Sequence, residues 1–94
     1  MLEIIGDRGS GKTTALISTF LADESKDKAL VVVHSSAISH YQSKWPALKK
    51  CRIAPLSALE TDSLRGIGRL YVDEIQMPKP GPWLERVVVA TRAR

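Results

Sequence analysis

Apolar residues fall along this chain in short unbroken runs rather than in strict alternation. Leu2–Ile5, Ala29–Val33 (ALVVV), Leu70–Val72 (LYV) and Val87–Ala90 (VVVA) are such runs, rich in β-branched residues and bounded by glycine or charge. Runs of this kind fit strands buried on both faces of a parallel sheet. Between the first two, Thr13–Ala22 carries Leu16, Ile17, Phe20 and Leu21 on one helical face. The charged stretch ADESKDK then interrupts the pattern as a loop does.

The middle of the chain is less periodic. Ser36–Tyr41 predicts the start of a helix with Ser35 or Ser36 as its cap, and Pro46 sets a boundary near Trp45. Arg52–Leu59 predicts a short strand running into a turn, with Pro55 arguing against a central position in a sheet. Ser63–Gly68 reads as connection. MPKPGPW is irregular, with Pro82 able to open a brief helix and Trp83 as a packing anchor. Strands alternating with helices or long crossovers predict an α/β fold on a mostly parallel sheet.

Composition narrows this picture only slightly. A chain of 94 residues is read as one domain, residues 1–94, and 44% hydrophobic content is ordinary for a globular protein. Aromatics make up 5%, so the core must rest on Val, Ile, Leu and Ala. The net charge of +4 is compatible with a nucleic-acid or acidic partner without requiring one. Cys51 is the sole cysteine, which excludes an internal disulfide and Cys/His metal clusters and reads as a packed small residue. His34 and His40 lack a second ligand at metal spacing. No apolar run is long enough to span a membrane, and MLEIIGD does not resemble a signal peptide, which predicts a cytoplasmic protein without a membrane partner.

Candidate chemistry begins at GDRGSGKTT, Gly6–Thr14, between the first run and the amphipathic helix. Gly6, Gly11, Lys12 and Thr13 satisfy the phosphate-binding spacing G-x-x-x-x-G-K-[ST] in the strand–loop–helix context that it demands. The loop Gly6, Asp7, Arg8, Gly9, Ser10 and Gly11 would turn successive N–H groups onto a phosphate at the positive end of the helix. Lys12 would reach the β- and γ-phosphates, Thr13 would offer a hydroxyl to Mg²⁺, and Thr14 would approach the α-phosphate. The run RLYVDEIQM adds a strand ending in Asp73 and Glu74. Carboxylates there lie at the C-terminal edge of a parallel sheet, where ligands bind in open α/β folds. Asp73 is the candidate metal partner and Glu74 the candidate general base toward water.

GDRGSGKTT together with LYVDEIQ resembles the P-loop NTPases of the additional-strand, catalytic-glutamate division, which includes RecA-like and AAA+ ATPases and superfamily 1 helicases. The resemblance implies a three-layer α/β/α P-loop fold and Mg²⁺-dependent ATP hydrolysis, with ATP and Mg²⁺ as cofactors. It also implies that Gln76 couples nucleotide to the rest of the machine and that Thr91, after VVVA, is a polar sensor. The expected sheet is minimal, about four strands, ordered last strand, first strand, acidic strand, second strand. Helicases carry a second RecA-like domain and AAA+ proteins a helical lid, neither of which fits in 94 residues. Arg92 or Arg94 could therefore act on a neighbouring subunit's nucleotide, and a homo-oligomer is expected. HSSAISHYQSKW with Lys49, Lys50 and Arg52 is a candidate contact for single-stranded nucleic acid. The resemblance alone suggests a phage or mobile element, acting in the host cytoplasm, with a larger replication, recombination or packaging partner. Two alternatives stay open: a nucleoside kinase, since VDEIQ also resembles thymidine kinases, and a non-hydrolysing nucleotide-binding module that docks on a larger ATPase.

Overall fold

The computed structural model describes residues 1–7, 11–75 and 81–93, with Asp62 by its backbone alone. Its strands and α-helices run β1 (Leu2–Gly6), α1 (Lys12–Ala22), β2 (Lys28–Val32), α2 (Ile38–Lys44), β3 (Ile53–Pro55), β4 (Arg69–Val72) and β5 (Val87–Ala93). Short 3₁₀ turns at Ser35–Ala37, Pro46–Lys50, Leu56–Glu60, Asp62–Leu64 and Pro82–Arg86 link them. Ser35 and Ser36 are not caps, as the sequence suggested. Both lie inside the 3₁₀ turn that feeds α2, and Ala37 precedes the helix without a side-chain cap.

The strands form one all-parallel sheet in the order β1-β5-β4-β2-β3. This corrects the expected sheet twice. There are five strands rather than about four, because Ile53–Pro55 pairs with β2 as an edge strand. An edge is where a proline's missing N–H costs least. The last strand also lies between β1 and the acidic strand β4, not outside β1. Burial explains the exchange. Val87, Val89 and Ala90 are buried across both faces, which suits a central strand, whereas β1 leaves Leu2 and Ile5 63% and 51% exposed at the sheet's edge.

Side-chain alternation divides the core into two layers. Leu30, Val32, Tyr71 and Val89 face α1, meeting Leu16, Ile17 and Phe20, with Leu48 from the turn after α2. Ala29, Val31, Leu70, Val72, Val87 and Ala90 face the other way, beneath Ala58, Leu59, Leu64 and Trp83 from the 3₁₀ turns. The result is a three-layer α/β/α arrangement whose second covering layer consists of 3₁₀ turns. Trp83 is the packing anchor expected of it: a Cβ on Gly81 would stand 2.4 Å from its indole Nε1. Cys51 is half-buried against the α1 layer, its Sγ 3.6 Å from the Ala47 carbonyl oxygen. No described helix is long and apolar enough to cross a membrane.

The pairing of β4 with β5 contains one irregularity. Leu70 pairs with Val87 but Tyr71 pairs with Val89, so β5 holds an extra residue at Val88. Such a bulge shifts all later side chains of its strand by one place. Ala90 therefore pairs with Val72, which places Thr91 beside Asp73 rather than Glu74.

At the N-terminal edge of the sheet Asp23 joins α1 to β4. Its carboxylate accepts hydrogen bonds from the Tyr71 hydroxyl (2.7 Å), the Ser25 N–H (2.9 Å) and Arg69 Nε (2.7 Å). In that order of size, these contacts hold its carboxyl well below the usual carboxylate range. Lys28 Nζ donates to the carbonyls of Phe20 and Asp23, at 2.5 Å each, at the end of α1.

Phe20, fully buried and edge-on to Tyr71 at 5.2 Å, is the largest apolar side chain that α1 contributes. Phe20→Ala should lower unfolding free energy by about 3–5 kcal/mol in urea titration. Leu2→Ala should change it by no more than about 0.5 kcal/mol. Equal losses would contradict this placement of the core.

Candidate functional site

The C-terminal ends of the parallel strands, the end of β1 and the start of α1 all lie along one edge of the sheet. Gly11 precedes α1 with φ +82°, a left-handed conformation that favours glycine, and among the described residues no atom beyond its immediate neighbours lies within 4 Å of where a Cβ would stand. Conformation rather than space therefore calls for glycine at that position. The next two residues, Lys12 and Thr13, are the first of α1 and reach across to the end of β4.

There the Asp73 carboxylate is only 1% exposed. A buried carboxylate needs donors around it, and three hydroxyls supply them. Thr91 Oγ1 donates to Oδ1 at 2.6 Å, Thr13 Oγ1 is shared between both oxygens at 3.2 Å, and the Tyr41 hydroxyl donates to Oδ2. Four elements thus meet on one side chain: α1, α2, β4 and β5. Thr91, fully buried, also accepts the Glu74 N–H at 2.7 Å, while its carbonyl accepts the Ile75 N–H at 2.9 Å. Those two bonds shape the turn after β4. Glu74 sits in that turn with φ +57°, an unusual conformation for a residue with a side chain, at a cost of roughly 1–3 kcal/mol. From it the Glu74 carboxylate forms an ion pair at 2.7 Å with Lys12 Nζ, on a side chain only 9% exposed.

The sequence-predicted residues Lys12, Thr13, Asp73, Glu74 and Thr91 are therefore together, although Thr13 and Asp73 stand 60 positions apart. Gly6 ends β1 as a buried residue, and Asp7 and Thr14 are exposed on either side of the loop. Arg92 lies apart from this group. Strand alternation turns it to the face opposite Thr91, where its guanidinium meets Glu3 at 3.6 Å. Arg8, Gly9, Ser10, Gln76 and Arg94 lie outside the described residues.

Tyr41 is not singled out by sequence spacing. Its only signal there is membership of an aromatic and hydroxyl-rich segment after β2. Burial first, and then the hydrogen bond to Asp73, raise its hydroxyl well above the usual tyrosine range. Tyr71 is likewise raised, by burial and by Asp23.

Comparison with protein-family models, with curated proteins and with solved structures finds no match to this chain. What the group can do must be judged from its own chemistry. A hydroxyl and a carboxylate 3.2 Å apart form a hard-oxygen donor set, which suits Mg²⁺. A buried ammonium at a helix start suits a phosphate. Among the described residues no group of three or more His, Cys, Asp or Glu is placed to hold a metal by itself. A cation here would complete its shell with water or with oxygens of a bound anion. A separate cleft of about 480 Å³ lies at the opposite edge, lined by Asp23, Lys26, Lys28, Lys50 and Arg52. Lys28 and Arg52 are already engaged there with main-chain carbonyls, at 2.5 and 2.6 Å, so it does not compete as the chemical centre.

Thr91→Val removes a donor to Asp73 and an acceptor for the Glu74 N–H. It should cost about 1–3 kcal/mol in urea titration, with Thr91→Ser recovering most of it. Both tyrosines have folded pKa values above the unfolded value of about 10, so the fold loses stability as pH rises past about 10. Absorbance at 295 nm should show no tyrosinate until the protein unfolds. A step near pH 10 in folded Tyr71→Phe, where Tyr41 is the remaining tyrosine, would contradict the Tyr41–Asp73 contact.

Proposed function

We propose that this chain is a Mg²⁺-dependent ATPase core of the P-loop kind, similar to the additional-strand, catalytic-glutamate division. The observation that carries this is the convergence of Lys12 and Thr13, from the glycine-loop–helix junction, on Asp73 and Glu74 at the end of β4. β5 lies between the loop-bearing and acidic strands, and the bond from Thr91 at its end to Asp73 supports reading that threonine as a polar sensor. A phosphate cradle and a carboxylate pair have few joint uses other than phosphoryl chemistry.

Bound Mg·ATP would supply an electrophilic γ-phosphorus with its charge partly neutralised. The chain's own residues supply the rest. Lys12, paired with Glu74 in this structure, would swing its ammonium to the β- and γ-phosphates. Glu74, freed of that partner, would accept a proton from the attacking water. Thr13 can keep its O–H on Asp73 while its oxygen lone pairs face a cation. Thr91 holds both the Asp73 carboxylate and the Glu74 backbone in place, so the two acids keep a fixed separation.

Two partner classes belong to the proposal. Among the described residues β1 leaves one side unpaired, with Leu2 and Ile5 exposed, which supports self-association and an arginine donated in trans. The segment Lys28–Leu59 holds five of the chain's 14 lysines and arginines and none of its 10 acidic residues. The chain's positive balance thus comes from the segment that carries α2, which supports a polyanionic partner such as nucleic acid.

Phosphate release from Mg·ATP, measured over a range of protein concentrations, tests this. Turnover per chain should rise with concentration, and Glu74→Gln should cut it by about 10²–10⁴-fold while nucleotide still binds. Lys12→Ala should remove binding itself. Binding without turnover at every concentration would replace hydrolysis by a docking module. Phosphate transfer to a nucleoside would make the protein a kinase, and absence of nucleotide binding would overturn the proposal.

A further inference from the structure

α2 is held to the body differently from the other elements around Asp73. It has seven residues, none of them fully buried, and it rests on the α1 layer through the partly buried Ile38 and Tyr41. Thr13, Asp73 and Thr91 stand on a helix and strands that are themselves packed in the core. Tyr41 crosses from this lightly anchored helix to Asp73 Oδ2, and its ring lies 6.0 Å from that of Trp45, next to the C-terminal end of α2.

The three hydroxyls are not equivalent toward a cation. Thr13 can donate its proton to Asp73 and still present oxygen lone pairs, and Thr91 approaches from within β5 onto Oδ1. Tyr41 instead takes up Oδ2, the oxygen that Thr91 leaves free. A carboxylate that supports a cation, directly or through one of its waters, needs such an oxygen. With Thr13, Thr91 and Tyr41 all in place, each carboxylate oxygen of Asp73 already faces two hydroxyls, Oδ2 those of Tyr41 and Thr13.

We propose that the Tyr41–Asp73 hydrogen bond is a latch that competes with the cation for Asp73, so that metal-bound nucleotide, but not nucleotide alone, releases α2. This rests on the nucleotide site proposed above and adds a residue and a moving element to it. Tyr41 acts as a positioning residue. Its hydroxyl keeps the buried carboxylate satisfied before loading, and its departure carries Trp45 and the Lys44 ammonium stacked 4.9 Å over the Trp45 ring. The state of the cation site is thereby transmitted to the basic segment that carries α2.

The test uses wild-type protein and Tyr41→Phe, titrated calorimetrically with the β,γ-imido analogue of ATP, once with Mg²⁺ and once with EDTA. Breaking a hydrogen bond to a charged group opposes binding, so Tyr41→Phe should bind the Mg²⁺ complex about tenfold or more tightly than wild type. The metal-free analogue should bind both proteins equally. In wild type, Trp emission should shift on adding the Mg²⁺ complex and not with the metal-free analogue, and Trp45→Phe should abolish that shift. This second measurement serves if Tyr41→Phe does not fold. Nucleotide binding with equal or weaker Mg²⁺-complex affinity in Tyr41→Phe would overturn the latch and leave the nucleotide site standing. A Trp45 shift that is the same with and without Mg²⁺ would do likewise. No binding of the analogue by wild type under either condition would overturn both.

Discussion

A carboxylate withdrawn from water must be surrounded by donors or it destabilises the fold that buries it. Asp73 meets that condition with three hydroxyls from three different elements, and much of the molecule's arrangement depends on it. α1 must start close enough to β4 for Thr13 to reach across. β5 must lie directly beside β4 for Thr91 to do the same. α2 must fold back over the strand ends so that Tyr41 closes the remaining side. Each of these placements also buries apolar surface, so the polar centre and the α1 core layer reinforce each other.

The neighbouring Glu74 shows the opposite balance. Its left-handed backbone is unfavourable in isolation, yet the Thr91 bond to its N–H and the Lys12 ion pair hold it there. Local strain kept up by surrounding contacts is a common property of functional turns. The ion pair also settles how a buried lysine is tolerated at the start of α1: its charge is matched by the Glu74 carboxylate.

Much of this is legible in the sequence. The four apolar runs are strands, the Leu16–Phe20 face is the buried face of α1, and GKT with DE foretells which distant residues meet. The order of strands is not legible, because LEII and VVVA look equally fit for a central place. Only the exposure of Leu2 and Ile5 separates them. Tyr41 escapes for a different reason. A tyrosine on a short helix has no spacing rule that ties it to an acid 32 positions later; that contact depends on how α2 is folded back. Ile53–Pro55 is recognisable as a short strand, but its pairing with β2 is a tertiary choice.

The extra residue at Val88 carries one more consequence. Val87, Val88, Val89 and Ala90 are apolar without interruption, so hydrophobic burial barely distinguishes one strand register from the next. The same strand paired without the bulge would still present apolar side chains to both layers, but it would set Ala90 beside Asp73 and move its threonine on to Glu74. A slip of register here would therefore separate what single substitutions cannot: a sheet that assembles and a carboxylate that is correctly met. In β5 the polar network, rather than the oily one, keeps the count.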